Sequence, residues 1–204
     1  MDYVRKGKVE WTGDNPPIYL KTDTNGDWST LALFFRVNGS DYGRGHMILV
    51  LEDPYNRGQA NPVRLCSTDN EQLARYLLDD FVRKFGLFRP AQQAIDALQV
   101  IGGATFSVEA DYPRHVTEIA SFGGHRVEMR WSDLQDMFAV AQPPKDSQTG
   151  RHEMFSVFQP AGSASITVDG RRLAGETVER DFFDRRAQSA ALAHSESWIC
   201  EEQT

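Results

Sequence analysis

His194 and Glu196 stand two residues apart in the run AALAHSESWIC, residues 190–200, and a histidine and a carboxylate so spaced can do acid and base work. If the run is a strand, its side chains alternate faces. Leu192, His194, Glu196 and Trp198 then share one row, and Ala191, Ala193, Ser195 and Ser197 the other. Positions i and i+2 on one face lie about 7 Å apart, near enough to hold two ends of a small molecule or to be bridged by water. Burial raises the pKa of a glutamate and lowers that of a histidine, while mutual attraction does the reverse. Either group can therefore be poised near neutrality, and the pair supplies the catalytic candidates.

The other candidates follow from the same alternation. His125 continues the row of Val127, Met129 and Trp131, and His46 shares a face with Ile48 and Val50. Trp198, Trp131 and Met129 offer apolar contact area to a ligand, and His125, His46 and Arg36 offer polar contacts at a rim. His115, beside Pro113-Arg114, and His152, beside the loop PPKDSQTGR, read as solvated surface residues. Two bland arrangements compete with a site. In one, His194 and Glu196 are merely a satisfied pair with an arginine such as Arg36. In the other, Ala191, Ala193, Ser195 and Ile199 pack the core and the large row faces solvent or a partner subunit.

Cofactor chemistry finds little support. His125, His194, Glu196 and His46 are of the right types for a divalent ion, but no ligand spacing marks a metal site, and none is assigned. There is no G-x-S-x-G and no P-loop, and Gly43-Arg44-Gly45 precedes a strand rather than opening a helix. No cofactor is expected. The two cysteines, Cys66 and Cys200, form no C-x-x-C, and whether they pair is open.

The elements that must position these residues are mostly strands. Leu31, Leu33, Phe35 and Val37 alternate towards Asn38-Gly39, and His46 to Leu51 return, as a hairpin apolar on both faces: either central strands covered on both sides, or a wall with one face inside a cavity and the other under helices. Further strands are expected at 104–110, 115–121, 125–131, 136–141, 153–159 and 163–168, with Asp169-Gly170 as a hairpin turn and 189–199 last. Between 68 and 101 the period shifts to that of a helix. Thr68 with Glu71 resembles a capping box, Leu73, Tyr76, Leu77, Phe81 and Phe85 follow at helical spacing with Gly86 as the stop, and a second helix starts at Pro90. The first thirty residues, rich in turn formers, read as a surface wrap.

The fold expected is therefore mainly β: about ten antiparallel strands in a barrel or two-sheet sandwich, with a helical hairpin at about 68–101, in one domain over residues 1–204. Gly26-Asp27-Trp28, just before the first strong strand, resembles the G-x-W that opens the first strand of lipocalins. That resemblance implies a lipocalin- or calycin-like barrel and carries no residue role. It covers three residues, and the helices here lie in mid-chain rather than after the strands.

The 204 residues carry 22 Lys and Arg against 29 Asp and Glu, a net charge of -7, with no basic stripe, so nucleic acid is not an expected partner. No apolar run reaches the length of a membrane span, and the start, MDYVRKGKVEW, has no leader pattern, which places the expectation in the cytoplasm without a membrane partner. The function expected is binding of a small, largely apolar molecule, anchored by His194 and Glu196. Two alternatives stand beside it: a cofactor-independent lyase, isomerase or cyclase using the same pair, and a structural or assembly module, such as a homodimer, without a pocket.

Overall fold

Alternating apolar residues build a mainly β chain, seen here in a computed structural model that describes residues 5–200. The first four residues of the segment read for a leader lie outside it. Strands β1 (Lys8–Asp14) and β2 (Pro17–Leu20) precede the hairpin β3 (Thr30–Ser40) and β4 (Gly45–Glu52), then β5 (Arg64–Thr68). Helix α1 (Glu71–Asp80), 3-10 turns at Val82–Lys84 and Arg89–Ala91, and α2 (Gln92–Asp96) lead to β6 (Val100–Ile101). There follow β7 (Thr105–Asp111), β8 (His115–Phe122), β9 (His125–Leu134), β10 (Phe138–Gln142) and the long β11 (His152–Val168). The chain ends with β12 (Arg171–Arg172), β13 (Glu179–Phe182), β14 (Arg185–Gln188) and β15 (Ala191–Cys200).

The main sheet runs β6-β5-β4-β3-β1-β15-β11-β9-β8-β7, with β10 and β12 on β11 and β2 on β3. It is mixed rather than wholly antiparallel, because the helical segment carries the chain back so that β6 lies parallel to β5. It curls into a half-barrel whose end strands, β6 and β7, each pair on one side only. The strands expected separately at 153–159 and 163–168 are one. The first part of β11 pairs with β10 and β15, and the second with β9 and β12.

That shared strand defines two limbs and two cores. The second limb, β7 to β9 with the far end of β11, folds over one face of the first, burying Phe34, Ile48 and Val50 against Met129, Trp131 and Ile166. On the opposite face Leu33, Phe35, Leu49 and Trp11 pack against Leu73, Leu77 and Phe81 of the helical segment. Strands β3 and β4 are covered on both sides, the first of the two arrangements their double apolar pattern allows. Each large side chain removed from water contributes about 1.5–3 kcal/mol.

Three local readings change. The cap of α1 is Asn70, whose side chain accepts from the Leu73 N–H at 3.1 Å, while Thr68 closes β5 and bonds the His46 carbonyl. The helix stops at Phe81, whose backbone leaves helical geometry, rather than running to Phe85. The first thirty residues are not a surface wrap: Trp11, Ile18 and Leu20 are fully buried. Gly13 makes the approach of β1 to β3 possible, since a Cβ there would lie 1.9 Å from the Arg36 carbonyl oxygen. Among the described residues no helix is long and apolar enough to cross a membrane.

Candidate functional site

The row that joins His194 to Glu196 is broken by a β-bulge. Phe155 of β11 faces Ser197 and Val157 faces His194, so a single β11 residue stands opposite two of β15. Ser195 absorbs the extra length at a φ of 54°. Alternation is inverted beyond it. Leu192 belongs to the core between the limbs and Ala191 and Ala193 to the helix-side core, yet Trp198 also belongs to the helix side. His194 therefore keeps the Leu192 face, while Glu196 turns to the helix side with Trp198, so the expected pair is divided between the two faces of the sheet. His194 is half-buried, and its Nε2 has no hydrogen-bond partner among the described residues.

Glu196 and Trp198 open onto a cavity of about 470 Å³ on the helix side of the sheet. Leu33, Met154 and Phe158 rise from the strands, Phe85 and Leu87 close it from the segment after α1, and Phe182 and Phe183 cover it from the β13–β14 turn. Its volume falls in the range spanned by small-molecule sites, and its walls mix aromatic and aliphatic side chains with polar ones. Phe183 and Asp184 hold the turn with φ of 51° and 59°, the left-handed pair of a tight hairpin. This brings the Phe183 ring to 5.0 Å from that of Phe158, with Phe182 at 4.9 Å.

The floor of the cavity is polar. Glu196 is 4 % exposed and accepts a hydrogen bond on Oε2 from the Trp198 indole N–H at 3.0 Å. Burial pushes its pKa up to about 7, with Asp14 adding to the rise, while the Trp198 N–H and the Asn15 amide oppose it. A carboxyl so placed donates a hydrogen bond in its neutral form and accepts in its ionised one. Asn15 Oδ1 and Gln142 Oε1 are buried and accept no hydrogen bond among the described residues. At the rim the Arg180 guanidinium lies over the Tyr19 and Phe182 rings, at 5.6 and 5.5 Å.

The remaining candidates lie elsewhere. Met129 and Trp131 are fully buried between the limbs, where Trp131 Nε1 donates to the Pro17 carbonyl at 3.0 Å; the β9 row faces the other limb rather than a cavity. His125 is exposed on the β8–β9 hairpin, 2.8 Å from Asp169. His46 stacks on Phe106 and meets Asp69 at 2.7 Å. Arg36 bridges Asp14 and Glu118, at 3.1 and 2.6 Å, and so is not the partner of Glu196. These polar groups do not converge on one point.

His152 is not solvated. It is fully buried, stacked 4.9 Å from Phe81, with the Thr149 hydroxyl at Nδ1 and the Arg151 Nε–H donating to Nε2 at 3.1 Å. Burial, assisted by Arg151, lowers its pKa to about 4. Its ring, the Glu10 carboxylate and the Cys200 thiol bring ligand-type atoms within 4.8 Å of one another. Cys66 and Cys200 are free thiols, that of Cys66 pushed up to about 12 by burial.

Sequence reasoning missed Asn15, Tyr19, Phe158 and the Phe182-Phe183 pair. A signal was present only for the last: two adjacent phenylalanines in the charged stretch ERDFFDRR need an apolar partner. The chain matches no family model, and comparison with curated proteins and with solved structures returns no match.

Proposed function

We propose that the protein binds a small, largely apolar molecule in the cavity between the half-barrel and the β13–β14 hairpin. The observation that carries this reading is a space of about 470 Å³, walled by aromatic and aliphatic side chains, with one buried carboxyl at its floor. Trp198 and the phenylalanines provide contact area, and Glu196 fixes orientation. In the polar role Glu196 acts without His194, which the Ser195 bulge directs to the other face.

A second reading is supported by the same carboxyl. With a pKa of about 7, Glu196 is equipped to give and take protons, as a cofactor-independent lyase or isomerase requires. The two readings part on one substitution. Under binding, Glu196→Gln changes affinity for a neutral ligand by no more than about tenfold. Under catalysis it removes about 10²-fold or more of the rate while binding persists.

The test uses a neutral fluorescent probe, N-phenyl-1-naphthylamine, titrated into the protein. Saturable binding of one probe per chain is expected, weakened at least about tenfold by Leu87→Trp, which fills the cavity from its half-buried wall. Binding that is absent, or unchanged in Leu87→Trp, would sink the proposal.

A further inference from the structure

The polar groups of the cavity are unequal in kind. Glu196 is buried and forms no ion pair with a lysine, arginine or histidine among the described residues. Asn15, itself 5 % exposed, and Gln142 belong to the same lining, and each has a buried side-chain carbonyl oxygen without a partner among the described residues. The Asn15 and Gln142 carbonyl oxygens lack donors, and Glu196, which already accepts from the Trp198 indole N–H, keeps further acceptor capacity when ionised.

The charge around the cavity has the same sense. Its lining holds three carboxylates, Glu196, Asp181 and Asp184, against the single guanidinium of Arg180. Asp181 is engaged by Arg186 at 3.0 Å, and Arg180 spreads over the rings of Tyr19 and Phe182 at the rim. Asp14, close behind β15, adds negative potential to Glu196. Tyr19, buried beside the same carboxyl, is held neutral, its hydroxyl pushed up to about 12. The walls are aromatic faces, whose quadrupole attracts cations.

We infer that the molecule bound in this cavity is an organic amine, its ammonium group held by Glu196 with Asn15 beside it and its apolar body against the aromatic walls. The ammonium group brings three donors and no acceptor, the complement of this floor. The inference rests on the cavity reading above and adds the chemical class of the ligand.

The test is a head-group series of one shape, 4-phenylbutylamine, 4-phenylbutan-1-ol and 4-phenylbutanoate, titrated calorimetrically into the intact protein at about pH 8, where an alkyl amine is protonated. The amine is expected to bind about tenfold or more tightly than the alcohol, and the carboxylate most weakly. Glu196→Gln should erase the preference for amine over alcohol. A second readout needs no variant: at about pH 6 the amine should displace a proton from Glu196, and at about pH 8.5 little or none, seen as buffer-dependent heat.

Failure separates cleanly. If the alcohol binds as well as the amine, or the carboxylate binds best through Arg180, the amine inference falls and the cavity reading stands. If no member of the series and no neutral probe binds, both fall.

Discussion

Two buried ionisable residues give this protein opposing responses to pH. Glu196 holds its proton more tightly in the folded chain, so its stabilisation is full below its ordinary value of 4.5 and is lost as pH rises to about 7. His152 is kept neutral in the folded chain, so its contribution is full above 6.5 and is lost as pH falls to about 4. Each effect is at most roughly 3 kcal/mol. Urea midpoints measured from about pH 4 to pH 8 should separate them. Glu196→Gln should lose the decline between 4.5 and 7 and exceed the parent at higher pH, and His152→Gln should flatten the acid side. A Glu196→Gln curve parallel to that of the parent would show that the carboxyl titrates normally. The sequence marked Glu196 and Trp198 correctly as neighbours on one face. It misplaced His152, because a histidine next to a polar loop carries no mark of the Phe81 ring that covers it.

At the scale of the element, period-2 and period-3.6 patterns were legible wherever the pattern ran without interruption. The β3–β4 hairpin, β7 to β9 and α1 all lie close to where the alternation puts them. What could not be read was a single extra residue. A bulge is usually betrayed by glycine, but here Ser195 takes the left-handed conformation, and the row through His194 looks continuous on paper. Strands β1 and β2 escaped for a related reason: they are seven and four residues long, separated by Asn15-Pro16, and turn formers dominate the composition around them. The bulge can be tested directly. Ser195 is exposed, so its side chain is not a packing element, and Ser195→Gly should be neutral or slightly stabilising. Ser195→Val, a β-branched residue at positive φ, should cost about 1–3 kcal/mol in urea unfolding. Equal stability of the two variants would mean that β15 runs straight.

At the scale of the molecule, β11 belongs to both limbs, and this makes their stabilities inseparable. Each limb lacks one sheet neighbour without it. In a variant that keeps only Trp198, on the helix side, and in one that keeps only Trp131, between the limbs, tryptophan fluorescence and far-ultraviolet circular dichroism should therefore give one coincident unfolding midpoint within each variant. Two separate midpoints would divide the chain into two folding units and overturn the one-domain reading. The cavity was the least legible feature, since its walls come from residues as far apart as Tyr19, Phe85, Phe158 and Phe182, and only the curl of the sheet brings them together.

The β13–β14 ladder has a further consequence. Those two strands pair with each other and with no strand of the main sheet among the described residues. Swinging them aside breaks aromatic contacts but no rung of the large sheet. On the binding reading proposed above, traffic into and out of the cavity would be governed by a local barrier, and the time a guest stays inside would be set independently of how long the host stays folded.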